Sequence, residues 1–391
     1  MSRQGDYREA LSRIAKAKEE KNAQLDLSNL DIGELPDELF ECTHLTKITA
    51  RECKLVSLPP KISELANLQE LDVSFNQLTQ IPSEIGKLSN LLSLFVYYNQ
   101  LTELPSDICN LINLHSFYVF GNQLTEISFE ICMLANLQIL DISNNQLTQI
   151  PFEIRTLSNL YSLEVSGNQL TQMPSEIGTL VNLETLNVSN NQLTQLPSEI
   201  GALVKLQELY VSNNQLTKLP SEIGTLANLQ KLYVFNNQLT QIPSEIGTLA
   251  NLQELDVSNN QLTQLPFEIG ALLNLETLYV SNNQIVQIHE SLSKLKNLKK
   301  FYIHNNQSLN IPPDILGPTY NEVKRNVLTP AKPRDILEYY FRTREGKRPL
   351  NEAKLILVGR GEVGKTSLVN RLVHKEFNKR QRKTDGIKKE R

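Results

Sequence analysis

Apolar residues return along this chain on a fixed step. Around Leu71-Asp72-Val73 they alternate with polar ones at period two, which predicts a short strand with Leu and Val facing in and Asp72 facing out. Asn76-Gln77-Leu78 follows, then Pro82-Ser83-Glu84-Ile85-Gly86, where Pro fixes φ, Ile supplies core, and the few residues left fit only short helical turns. Asn-Gln-Leu recurs at Asn76, Asn99, Asn122, Asn145, Asn168, Asn191, Asn214, Asn237 and Asn260, always 23 residues on. Further steps reach Asn283 and Asn306 and, backwards, Cys53 and Leu30 in degenerate copies. Thirteen units without an insertion predict stacked parallel strands forming a concave sheet, each unit burying its apolar edge only against its neighbours.

The consensus N-L-x-x-L-x-V-x-N-N-Q-L-T-x-L-P-S-E-I-G-x-L resembles the leucine-rich repeat, whose pattern admits Cys where Cys53 stands. That resemblance implies an α/β leucine-rich-repeat solenoid, a horseshoe with a parallel concave sheet, over residues 23–312. The turn after each strand leaves buried backbone N–H and C=O groups, and an Asn side chain can serve both, so the Asn column reads as structural. The ends of such a stack need caps. Residues 1–22, with Tyr7, Leu11, Ile14 and Ala15 at helical spacing among charges, predict an amphipathic capping helix. At the other end His289 replaces the repeat's Pro, Ser308 replaces its Leu, and Pro312-Pro313 ends the pattern.

Residues one, two and four places before each Asn are expected on the concave surface. Those columns gather six aromatics in units three to five: Phe75, Phe95, Tyr97, Tyr98, Tyr118 and Phe120. With strands about 4.8 Å apart they should form one patch. Cross-strand packing would account for it; so would a protein-binding surface flanked by Asp72, Asp141 and Glu164, since exposed aromatic clusters mark interfaces.

Composition narrows the classes. Forty per cent of residues are hydrophobic and 21% charged, with no apolar run long enough for a membrane span and no signal-peptide pattern, so a cytoplasmic protein is expected. The net charge of −4 conceals a division: residues 313–391 hold 20 Lys+Arg against 10 Asp+Glu, so the repeats are strongly acidic. Four cysteines (Cys42, Cys53, Cys109, Cys132) lack ligand spacing, which argues against a metal site or disulfide scaffold. No catalytic constellation stands out in the repeats, and the basic tail reads as a solvated stretch rather than a nucleic-acid site.

Residues 313–349 form a Pro-rich connector in which Pro333–Arg344 predicts a helix, with Ile336, Leu337, Tyr340 and Phe341 on one face, expected to dock downstream. An apolar run, 354–358, then precedes Gly359-Arg360-Gly361-Glu362-Val363-Gly364-Lys365-Thr366-Ser367 and an apolar-periodic stretch: G-x-x-x-x-G-K-[ST] in strand, loop, helix context. Backbone N–H groups of such a loop converge on phosphates, Lys365 reaches the β- and γ-phosphates, and Thr366 can ligate Mg²⁺.

Phe377, 11 residues beyond Thr366, and Thr384, 18 beyond, resemble the guanine-packing aromatic and Mg²⁺-binding switch I Thr of Ras-like G proteins. Repeats, an Ile-Leu-Glu-Tyr-Tyr-Phe helix and a P-loop, in that order, resemble the Roco family of large GTPases. The resemblance implies that residues 350–391 begin a Roc-type G domain binding GTP or GDP with Mg²⁺, that GTP is hydrolysed, and that some relatives carry a Ser/Thr kinase. The sequence stops at Arg391 before any DxxG or NKxD motif and holds no COR or kinase signature, so this segment is expected to need a complete G domain for nucleotide and not to hydrolyse GTP alone. The reading is a monomeric interaction scaffold of a GTP-binding protein, with a protein partner on the concave face, guanine nucleotide at the P-loop, no nucleic acid and no transmembrane segment. The rival is a leucine-rich-repeat adaptor or effector without nucleotide activity.

Overall fold

A computed structural model of the chain describes residues 3–326 and 328–344. The chain divides into two units, Met1–Phe341 and Arg342–Arg391, and nearly all the described residues belong to the first.

Thirteen three-residue strands, from β1 (Gln24–Asp26) to β13 (Lys300–Tyr302), pair in chain order into one parallel sheet. The register advances by the repeat length, so Leu71 pairs with Leu94 and Leu94 with Phe117. Each strand's central residue and the Val, Ile, Leu or Ala two places on are buried along the whole stack, as in Leu94 and Val96. On the far side each Pro stands in extended backbone, Pro82 at φ −69° and ψ 147°, and leads into a five-residue 3₁₀ helix such as Ser83–Lys87. Its Ile85 is buried and the Leu88 N–H closes the turn on Ile85 O at 3.0 Å. Because the return path has so few residues, a 3₁₀ turn is what fits.

The Asn column does the pairing expected of it. The Leu78 N–H donates to Asn99 Oδ1 at 2.9 Å, while Asn99 Nδ2 donates to Val73 O at 3.1 Å and Val96 O at 3.0 Å. Asn191 repeats the set on Leu170, Val165 and Val188. In unit two Cys53 substitutes with a single donor, its Sγ on Leu27 O at 3.1 Å. A second, outer ladder was not foreseen: Asn90, Asn113 and their equivalents as far as Asn297 each donate to a carbonyl 24 residues back. Lys205 interrupts it, turning its Nζ to Asn182 Oδ1.

The N-terminal cap is α1 (Arg3–Glu20), but its buried stripe is Asp6, Ala10, Ile14 and Ala17. Of the expected face only Ile14 is fully buried; Tyr7 and Leu11 are half-buried and Ala15 is exposed. Two small alanines let the helix lie close on unit one. At the other end follow α2 (Pro313–Leu316), α3 (Tyr320–Asn326) and α4 (Pro333–Arg344). The predicted helix α4, expected to dock downstream, packs upstream on the repeats. Ile336, Leu337 and Tyr340 are buried, and the Tyr340 hydroxyl accepts from the Ile288 N–H at 3.0 Å, so α4 closes the exposed end of the repeat core. His289, in place of Pro, caps the last full 3₁₀ helix by accepting from Ser291 N at 3.1 Å.

Candidate partner-binding surface

Three columns look out of the concave strands: the residues six, four and two places before each Asn. The outermost, with Lys47, Glu70, Glu208, Lys231 and Glu254, was missed, although the same alternation predicts it. Conversely, half of the eight serines of the column nearest the Asn are buried: Asp72 Oδ1, for example, accepts from both the backbone N–H and the hydroxyl of Ser74.

In units three to five the six aromatics form a single contacting cluster. Phe95 stacks on Tyr118 with centroids 5.0 Å apart, and Tyr97 on Phe120 at 4.4 Å. Phe75 and Tyr98 meet at 4.8 Å, and each also packs edge-on, Phe75 against Tyr97 and Tyr98 against Phe120. The Arg51 guanidinium, which sequence reasoning left out of the cluster, lies 5.2 Å from the Phe75 ring and 5.7 Å from Tyr97 while reaching Asp72 at 3.8 Å. Beside the cluster runs an open groove of about 430 Å³ lined by Glu52, Lys54, Phe75, Asn76, Gln77 and Tyr98.

Backbone conformation singles out two of the six. The residue just before each Asn adopts left-handed geometry throughout, and from unit five onward it is Gly or Asn. Phe75 (φ 56°) and Tyr98 (φ 50°) hold bulky rings there, 38% and 47% exposed. A left-handed non-Gly residue costs about 1–2 kcal/mol, and large aromatics lack the local hydrogen bonds that make Asn tolerable. At Gly121 (φ 66°) an added Cβ would stand 2.5 Å from the Tyr98 ring, so this glycine clears the space for it.

From unit six to unit eleven the face changes. Asp141, Glu164, Glu208, Glu254 and Asp256 stand in the three columns against Lys231 alone. Burial pushes the Asp141 and Asp256 carboxyls up, against the lowering bonds from Ser143 and Ser258. Burial, reinforced by the Asp141 and Glu208 charges, takes Glu164 to about 7. Burial would also raise Glu208, but bonds from Tyr210 and Lys231 bring it below the usual range. Tyr210 and Tyr233 sit 5.2 Å apart, their hydroxyls donating to Glu208 and Glu254. Farther on, Tyr320 of α3 packs edge-on against Tyr279 and Tyr302 and covers that end of the sheet.

The four thiols are unpaired; burial takes Cys53 to about 11 and Cys132 to about 12, while Cys109 is only half-buried. Among the described residues no group of His, Cys, Asp and Glu could hold a metal ion, and no helix is long and apolar enough to cross a membrane. Gly359, Arg360, Gly361, Glu362, Val363, Gly364, Lys365, Thr366, Ser367, Phe377 and Thr384 lie outside the described residues.

Models of leucine-rich repeats match residues 66–124, 135–179, 162–241, 227–269 and 250–307. A model described as Ras of Complex, Roc, domain of DAPkinase matches residues 354–391. No curated protein matches the chain. Among solved structures, a Leptospira interrogans LRR protein is 30% identical over 85% of this chain and 97% of its own, with a TM-score of 0.57. An internalin of Listeria monocytogenes is 22% identical over 78% and 92%, with a TM-score of 0.68. A plant peptide hormone receptor, RGFR1, solved in complex with RGF2, is 28% identical over 72% of this chain and 51% of its own, with a TM-score of 0.60.

Proposed function

Since this chain belongs to the leucine-rich repeat proteins, we propose that its repeats capture a protein partner through Phe75, Phe95, Tyr97, Tyr98, Tyr118 and Phe120. The observation that carries this is the pair of strained rings. Packing alone rewards aromatics on strands, but it does not reward Phe75 and Tyr98 in left-handed backbone where units five onward hold Gly or Asn. Strain of that kind is retained where function uses the group, and clustered aromatics beside an Arg are the usual anchors of an interface. The likeness to a receptor solved in complex with RGF2 supports a binding role for repeats of this kind.

The second half of the reading is a Roco-type arrangement in which residues 350–391 begin a Roc G domain. The Roc match at 354–391 and the G-x-x-x-x-G-K-[ST] run support it. In that reading Gly359–Ser367 wrap the phosphates of GTP or GDP, Lys365 neutralises them, Thr366 and Thr384 hold Mg²⁺, and Phe377 packs on the base.

Tyr97→Ala with Tyr118→Ala should weaken partner capture by tenfold or more, two anchors being worth roughly 2 kcal/mol each, with little change in melting temperature. A pull-down beside a thermal melt measures both; unchanged capture with a lowered melt would make the cluster packing only. For the nucleotide half, calorimetry should show guanine-selective binding by the chain joined to a downstream Roc segment, lost in Lys365→Ala. No selectivity there would leave the rival adaptor reading.

A further inference from the structure

The proposed partner site occupies units three to five; the carboxylates of units six to eleven lie outside it. Five acids face the concave side there, and Asp141, Glu164, Glu254 and Asp256 make no ion pair among the described residues. Each is instead held by a neutral donor: Ser143 on Asp141, Asn187 on Glu164, Tyr233 on Glu254 and Ser258 on Asp256. Neutral donors fix where the oxygens stand without cancelling their charge. A second, independent feature lies at the centre of the stretch. In units three, six and eleven the Ser two places before the Asn is satisfied by an Asp two places earlier; in unit nine that Asp is replaced by Tyr210, and Ser212, only 2% exposed, leaves its Oγ without a hydrogen-bond partner. Tyr210 and Tyr233 give units nine and ten a paired aromatic floor.

We propose that the concave face of units six to eleven is a second docking surface, for an extended Lys- or Arg-rich peptide segment of a protein partner. Charge complementarity selects the occupant. A divalent ion is not served, since no ligating cluster exists among the described residues, and the surface is open rather than enclosed, which suits a chain more than a small molecule. The acids fall in two groups, Asp141 with Glu164 and Glu254 with Asp256, four to five strands apart. At about 4.8 Å per strand that is roughly 20 Å, the reach of about six extended residues, so basic residues spaced by that interval meet both groups. Between them a guanidinium or ammonium passes over the Tyr210 and Tyr233 rings, where cation–π attraction adds to the field of the carboxylates. Burial holds Asp141, Glu164 and Asp256 above their ordinary titration range, a penalty that an arriving cation relieves.

The test uses the full chain and two fluorescein-labelled decapeptides, one with paired lysines at both ends and a Gly/Ser centre, the other with glutamates in their place, followed by anisotropy at low and moderate salt. The basic probe should bind and the acidic one should not, with affinity falling at least tenfold between about 50 and 300 mM salt as expected of charge-driven association. The variant Asp141→Asn, Glu164→Gln, Glu254→Gln, Asp256→Asn keeps acceptor oxygens and should weaken binding tenfold or more. Lys231→Gln removes the one competing cation and should tighten it two- to threefold. Tyr97→Ala with Tyr118→Ala, which disables the other site, should leave probe binding at the wild-type level, so failure here and failure there are told apart. Equal binding of both probes, or undiminished binding by the four-acid variant while Lys231→Gln has no effect, overturns the proposal.

Discussion

The two ends of the concave sheet share one backbone and differ in nearly everything mounted on it. In units two to five the charges cancel locally, Lys47 on Glu70 at 2.8 Å and Arg51 beside Asp72, and the exposed mass is aromatic. In units six to eleven carboxylates outnumber cations five to one, and the turn position returns to Gly and Asn. Because the strands and the 3₁₀ returns are the same in both, and the Asn column departs only at Cys53, the contrast belongs to the surface. A repeat fold separates the two tasks: inward columns stabilise, outward columns recognise, and the outward ones change from unit to unit without disturbing the stack.

The largest expected effect tests that common backbone. Asn99→Ala, under the aromatic half, and Asn214→Ala, under the acidic half, each leave one buried N–H without its partner and take one of two Asn donors from each of two carbonyls. Each should cost about 1–3 kcal/mol, felt by the adjacent units and not by distant ones. Hydrogen exchange reads the loss unit by unit. Equal losses sustain the separation of scaffold and surface; a markedly smaller loss in one half would show that its outward residues help hold the backbone.

Much of this was legible in the sequence. A 23-residue step with period-two alternation leaves one way to stack the strands, and an Asn that must serve two backbone groups at once announces its own role. The helix at Pro333–Arg344 carried its cues at Pro333 and Asp335. What escaped was decided by neighbours rather than by pattern. The partner of α4 escaped because an apolar helix face does not say which open core it covers. Likewise, α1 chose the stripe with Ala10 and Ala17 because close approach to unit one favoured small residues over the bulkier Leu11. Arg51 joined the rings of the next two units through its reach, which a column-by-column reading does not weigh. Six aromatics could be assigned to one patch, but the strain at Phe75 and Tyr98 is a backbone property that shows only in the dihedrals.

That strain offers the middle-sized effect and sharpens the contrast at a single column. At an ordinary exposed position Ala is preferred to Gly, since Gly gives up more freedom on folding; at positive φ the order reverses. Tyr98→Gly should therefore be more stable than Tyr98→Ala by about 1 kcal/mol, both losing the same ring contacts. The same order is expected at Asn213 (φ 55°) in the acidic half. Paired denaturant titrations give the difference. If Tyr98→Ala equals or exceeds Tyr98→Gly, the left-handed geometry costs nothing there, and the argument that function retains those rings loses its support.

The smallest effect belongs to the acidic half alone and concerns protons. Glu164 titrates in the folded chain at about 7, raised mainly by burial and further by Asp141 and Glu208, whereas its ordinary value is 4.5. A raised folded value means that the folded state holds the proton more tightly than the unfolded one. The resulting stability is fully present below the ordinary value and drains away as pH rises through about 7. Glu164→Gln mimics the protonated form at every pH. The melting temperature of wild type should thus match that of Glu164→Gln near pH 5 and fall behind it by pH 8, by an amount equivalent to about 1 kcal/mol once partial exposure is allowed for. Asp141→Asn removes a charge that raises Glu164, so in that background the divergence between Glu and Gln should be smaller and level off at lower pH. A constant gap from pH 5 to 8 would mean that water reaches Glu164 freely, and the two halves of the concave face would then differ in charge but not in how that charge is held.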